Sequence, residues 1–164
     1  MSDLAVIIDY DNWATDRMAD FCAKLTEQQR ALTTPGTMGT IEATLIHLVA
    51  AKERYAAAFR GAPPPTDAVR ETTTTDVAQV VARSKKLSEW FSSFAKGTLD
   101  LDKIITRQGA DGTTQRGPMG ILLAQFLHHG NEHRAQLGSI FGANGIEPPH
   151  YSALNWGHEL GKIS

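Results

Sequence analysis

The sequence predicts an all-α protein, an up-down-down-up-type four-helix bundle with a small β-hairpin before the last bundle helix. Three observations carry that expectation. Apolar residues recur at three- and four-residue steps along four long stretches, the period of a helix buried on one face. Breaks rich in Pro, Gly and Thr separate those stretches. One segment, 101–117, loses the helical period and becomes β-branched around a turn signal.

The first helix is expected over residues 4–30. Its apolar stripe is Tyr10, Trp13, Ala14, Met18, Phe21, Cys22 and Leu25, and charged residues occupy most of the opposite face. The run Thr33-Thr34-Pro35-Gly36-Thr37 breaks it. A second helix starts near Thr37 to Thr40, with Thr40 able to cap and Glu42 favourable in the first turn. Ile41, Leu45, Leu48, Val49, Tyr55 and Phe59 carry it to about Arg60, where Gly61-Ala62-Pro63-Pro64-Pro65 forces an extended connection. The cluster Thr72 to Thr75 precedes a third helix, capped by Asp76, with a stripe of Val77, Val80, Val81, Ser84, Leu87, Phe91 and Phe94. Gly97 ends it.

Ile104-Ile105-Thr106-Arg107, the turn signal Ala110-Asp111-Gly112, and Thr113-Thr114-Gln115-Arg116 then read as a short exposed hairpin. Its loop is slightly longer than two residues. Pro118 sits near the first position of the fourth helix. Met119, Leu122, Leu123, Phe126, Leu127, Leu137, Ile140 and Phe141 give that helix its core face, and Gly142 to Gly145 close it. The tail starts extended at Ile146 and forms a short terminal helix over Leu154 to Leu160.

The chain has 164 residues, enough for one domain spanning 1–164 and too few for two ordinary ones. Its formal net charge is -2 and no Lys/Arg run stands out, so the electrostatic footprint of a nucleic-acid binder is absent. The single cysteine, Cys22, excludes an internal disulfide and lies in an apolar helical pattern, which suits a small core residue in a reducing compartment. The N-terminus lacks a signal-peptide pattern, and no stretch is apolar enough to span a bilayer. A cytoplasmic protein without a membrane or nucleic-acid partner is expected.

The segment His128-His129-Gly130-Asn131-Glu132-His133-Arg134-Ala135-Gln136 holds the most chemistry. His129 and His133 are four residues apart, hence only about 40° apart on one helix face, so both can reach one metal ion. His128 is about 140° from His133 and is expected at the surface or an interface. The pair alone fits two exposed histidines on one helix at least as well as it fits a metal. His47, on the apolar second helix, strengthens the metal reading, because bundle metal sites take inward side chains from neighbouring helices. Metal ligands are therefore expected at His47, His129 and His133. His150 and His158 lie in the tail and are expected to be inert, unless the tail folds over the bundle mouth, where one could supply a fourth ligand or a hydrogen bond. Arg134 is expected to form an ion pair between helices, with Glu42 or Glu53 as candidate partners. Gln136 packs or hydrogen-bonds beside the site. Tyr10, Trp13 and Tyr55 are most simply core aromatics, although Tyr55, two turns after His47, can alternatively turn its hydroxyl toward the pocket.

Several segments taken together resemble the DinB/YfiT-like superfamily of four-helix metal-binding proteins. Tyr10-Asp11-Asn12-Trp13-Ala14 resembles the opening of that family's first helix. Gly39 to Leu48 resembles its second-helix start with the characteristic His47. His129 to Leu137 resembles its H-x-x-x-H-R-x-Q signature, and Gly145-Ile146-Glu147-Pro148-Pro149 its final loop. The resemblance spans nearly the whole chain. It implies a metal triad at His47, His129 and His133, a zinc or nickel ion or a similar divalent metal, and a homodimer. It implies no single activity, since some relatives resemble transferases of a low-molecular-weight thiol and others hydrolases or isomerases.

Three neutral imidazoles leave coordination positions open, as catalytic sites do. Such a site can lower the pKa of water to about 7, or accept a substrate thiol as its thiolate. Either a thiol S-transferase-like or a hydrolase-like metal enzyme is therefore expected. The rival readings are a metal- or ligand-binding bundle without turnover, and a dimeric scaffold without metal. No carboxylate base is evident, since Glu132 is at the wrong angle and Glu53 lies six residues from His47.

Overall fold

A computed structural model describes residues 3–65, 76–109 and 111–164 of the chain. The threonine cluster Thr72 to Thr75 and the turn residue Ala110 lie outside the described residues. The elements run α1 (Asp3–Ala23), α2 (Glu27–Arg30), α3 (Ile41–Arg60), α4 (Val77–Ala95), β1 (Ile104–Gln108), β2 (Thr114–Pro118), α5 (Met119–Ala143) and α6 (Ala153–Glu159). The long helices α1, α3, α4 and α5 form the bundle, with α1 and α3 each packed between α4 and α5.

Side-chain pairs give the helix directions. Asp9 meets Ser92 and Asp16 meets Ser84, so α1 and α4 run antiparallel. Lys52 meets Ser88 and Phe59 meets Phe94, so α3 and α4 run parallel. Asp11 meets Arg134 and Phe21 meets Phe141, so α1 and α5 run parallel. His47 meets His133 while Tyr55 meets Phe126, so α3 and α5 run antiparallel. This is the expected up-down-down-up arrangement. The parallel step from α3 to α4 requires the long connection that the proline run begins.

The first helix is shorter than its apolar stripe suggested. It ends at Ala23, and Thr26 starts the separate turn α2. The cause is a capping box: Thr26 accepts from the Gln29 backbone N–H at 3.2 Å, and the Gln29 side chain accepts from the Thr26 N–H at 2.9 Å. This gives the chain a better local solution than continuing the helix. Elsewhere the caps fall as read. Thr40 accepts from the Ala43 N–H at 3.1 Å, and Asp76 from the Ala78 N–H at 3.1 Å. Gly61 closes α3 at φ 68°, a left-handed conformation that a side chain would resist. The hairpin pairs Ile104 with Pro118 through Gln108 with Thr114, and only Ile105 of β1 turns into the core.

The core runs through all four long helices and contains Ile8, Met18, Leu45, Val49, Phe91, Leu137 and Phe141. At one end Tyr55, Phe59, Phe91 and Phe126 pack on one another, with Phe91 and Phe126 stacked at 4.5 Å. Cys22 is buried in this core, and burial pushes its thiol up to about 12, so it is inert at neutral pH. Tyr10 and Trp13 depart from the core assignment. They sit at the boundary and dock the tail: the Tyr10 hydroxyl donates to the Tyr151 carbonyl at 3.0 Å, and Trp13 Nε1 donates to Glu159 at 3.1 Å. Trp156 of α6 packs on Tyr10. Among the described residues, no helix is long and apolar enough to cross a membrane.

Candidate metal centre

His129 and His133 project from the middle of α5, one turn apart, and His47 faces them from the antiparallel α3. Their candidate ligand nitrogens all lie within 4.8 Å of one another. The closest approach is His47 Nε2 to His129 Nε2, at 3.1 Å. Two imidazoles bound to one tetrahedral ion at ~2.0–2.1 Å hold their nitrogens about 3.4 Å apart, so the rings already stand near that geometry. The ring centroids confirm a three-way cluster, at 5.0 Å for His47–His129, 4.7 Å for His47–His133 and 4.4 Å for His129–His133.

The surroundings hold one ring neutral and orient another. Burial, then the neighbouring His133 and His47, then Arg107 and Arg54, push the His129 imidazole down to about 3. At neutral pH it is therefore deprotonated and able to bind a cation. His133 Nδ1 donates to Gln136 Oε1 at 3.0 Å, which leaves its Nε2 as the candidate ligand nitrogen. The Met38 backbone N–H also donates to that Gln136 oxygen, at 3.3 Å. Gln136 thus links the loop before α3 to the His133 ring, the hydrogen-bonding role expected of it.

Arg134 forms an interhelical ion pair, but not with Glu42 or Glu53. Glu42 pairs with Arg30 and Glu53 with Arg83. Arg134 instead donates to Asp11 at 2.6 Å and to Thr15 at 2.7 Å, across to α1, and is 1% exposed. Helical phase explains the error: Arg134 is about 100° from His133, which turns it past α3 toward α1. Gly130 makes this contact possible. A Cβ there would stand 2.8 Å from Asp11 Oδ1 and 3.0 Å from Arg134 Nη1.

Of the other histidines, His128, His150 and His158 are exposed and outside the cluster. The tail folds onto α1 through Tyr10, Trp13 and Arg17, and supplies no ligand. Tyr55 is buried beside His129, with ring centroids 6.4 Å apart, and burial raises its hydroxyl above the usual phenol range. Glu132 is exposed, and no carboxylate belongs to the cluster among the described residues.

Two residues near the centre escaped the sequence reading. Lys52 is fully inside the bundle, donating to Ser88 Oγ at 2.8 Å, and it borders a small cavity with Asp11, Thr15, Tyr55 and His129. Burial pushes its ammonium down to about 8 against the pull of Asp16 and Asp11. The only hint was its position inside an apolar helix face. Arg107 of β1 lays its guanidinium over Tyr55 at 4.2 Å. Nothing in the hairpin sequence indicated that this side chain turns toward the histidines.

The DinB family model matches residues 1–158. The chain belongs to the DinB family. A crystal structure of a DinB-like protein from Bacillus cereus superposes with a TM-score of 0.64 at 19% identity, covering 86% of this chain and 90% of that one. That likeness supports the DinB fold. No curated protein matches the sequence.

Proposed function

We propose that this DinB-family protein is a mononuclear metal-dependent enzyme, with a zinc or nickel ion held by His47, His129 and His133. The convergence of three imidazole nitrogens within 4.8 Å carries this reading. The residues fit the group: His129 is held neutral, and Gln136 commits the far nitrogen of His133. Imidazole donors suit zinc and nickel, and three of them leave room for a further ligand. A divalent ion there would supply Lewis acidity to an anionic or thiol ligand.

The protein's own residues bind and orient. His129, His133 and His47 would hold the ion. Tyr55 packs on His129 and Phe126 on Tyr55, and all three line a small cavity that leaves little room for water beside His129. Among the described residues the cluster lacks a carboxylate that could serve as a general base. A divalent ion there would favour a substrate thiol as its thiolate, which supports thiol S-transfer over hydrolysis.

Metal analysis of untagged protein by mass spectrometry tests the site. About one zinc or nickel ion per chain is expected, with loss of that ion in His47→Ala and His129→Ala. Unchanged metal content in both variants refutes the triad. Incubating metal-loaded protein with a low-molecular-weight thiol and an electrophile tests turnover, and a loaded protein silent to both favours a non-catalytic binder.

A further inference from the structure

Among the described residues no carboxylate sits in the histidine cluster to offset a divalent ion, and two nearby acidic side chains are committed elsewhere. Asp11 is bound to Arg134 at 2.6 Å, and Glu53 to Arg83 at 2.6 Å. Among the described residues, the charged side chains that act on His129 are cationic instead. Arg107 reaches in from β1 over the Tyr55 ring, and Tyr55 packs against His129. Arg54 lies two turns beyond His47 and only about 20° from it around α3, beside the β1 backbone. Both guanidiniums act on the His129 ring through space.

Arg107 is placed as a recognition group is placed. It is half-buried, so its charge is partly stripped of water. Its hydrogen-bond acceptor is the neutral Gln115 Oε1, at 2.6 Å, which fixes the plane of the fork. Its Nε is buried without a partner, and it joins no ion pair with a described residue. Asp111 pulls on it only through space. A guanidinium held flat on an aromatic ring, with an unfilled edge, is suited to take a carboxylate.

We infer that Arg107 is the anion-recognition group of this site, and that the substrate carries a carboxylate besides the atom that meets the metal. The inference rests on the proposed metal centre. The geometry separates two tasks: the histidines hold the reacting end, and the hairpin reads the far end. It also gives the hairpin a function, because β1 delivers Arg107 over Tyr55.

The test uses full-length protein loaded with cobalt(II), whose thiolate charge-transfer absorption reports a thiol on the metal. Mercaptoacetate and 2-mercaptoethanol are titrated into the wild type, Arg107→Gln and Arg107→Lys, with cobalt content measured in each. The wild type is expected to prefer mercaptoacetate, and Arg107→Gln to lose about tenfold of that preference, the scale of one charge-assisted hydrogen bond. Affinity for 2-mercaptoethanol stays within about threefold in that comparison, and Arg107→Lys keeps part of the preference. Chelation of cobalt by the mercaptoacetate carboxylate would survive the substitution, so the change in ratio reads Arg107 alone. A ratio unchanged in Arg107→Gln at full cobalt content overturns the anion assignment and leaves the metal centre standing. A wild type that takes up no cobalt overturns both.

Discussion

Replacing Asp11 by Ala would strand one of the most deeply buried charges among the described residues. Arg134 is 1% exposed, and two of its hydrogen bonds, to Asp11 and Thr15, come from α1. Its Nε is already without a partner. Removing the carboxylate leaves a guanidinium in the core with the Thr15 hydroxyl as its remaining α1 acceptor. Breaking a buried pair on one side costs about 3–5 kcal/mol, a large share of the roughly 5–15 kcal/mol that holds a domain folded. For a chain of this size each kcal/mol moves the midpoint by about 2–4 °C, so a fall of about 6–20 °C is expected. Thermal and urea melts followed by circular dichroism measure it. The double variant Asp11→Leu/Arg134→Met removes both charges and is expected to recover most of the loss. A cost below about 1 kcal/mol for Asp11→Ala would show that water reaches Arg134, and the claim of a dry α1–α5 clamp would fall.

Two glycines of α5 are predicted to respond with opposite signs. Gly130→Ala places a Cβ 2.8 Å from Asp11 Oδ1 and is expected to destabilise by about 1–3 kcal/mol, whereas Gly142 has nothing within 4 Å and Gly142→Ala is expected to gain about 0.5 kcal/mol. Urea melts of the two variants decide this, and a stabilising Gly130→Ala would contradict the close approach. Lys52 is predicted to leave a signature in alkaline solution. Burial holds its folded value near 8 against 10.5 unfolded, so between those values the unfolded chain binds more protons and stability rises with pH. The rise should vanish in Lys52→Met, and identical pH profiles for the two proteins would place Lys52 in contact with water.

How far the sequence discloses this architecture depends on whether the signal is periodic or pairwise. The apolar stripes of α3, α4 and α5 are periodic, and nearly every residue they contain is buried. The α1 stripe misled because Tyr10 and Trp13 are apolar for a different reason, the docking of α6. The overlong first helix came from missing the Thr26–Gln29 capping box, which is visible as T-x-x-Q in the sequence.

At the site, the i,i+4 spacing of His129 and His133 fixes a shared face by helix geometry alone. His47 could be joined to them only through packing of a second helix, which its apolar surroundings suggested, the resemblance independently implied and the bundle now displays. The partner of Arg134 was not legible. Phase excluded the α3 carboxylates in principle, but choosing Asp11 required knowing which helix lies beside α5 and that Gly130 opens the gap. Arg107 was hidden for the same reason, since a hairpin's local pattern says nothing about the helix it leans on.

Diffraction from untagged protein crystallised with stoichiometric zinc, with data collected on both sides of the zinc absorption edge, locates the ion itself. One anomalous peak is expected about 2.0–2.2 Å from nitrogens of His47, His129 and His133. A peak coordinated by His128, His150 or His158, or no peak among the three rings, would contradict the three-histidine site.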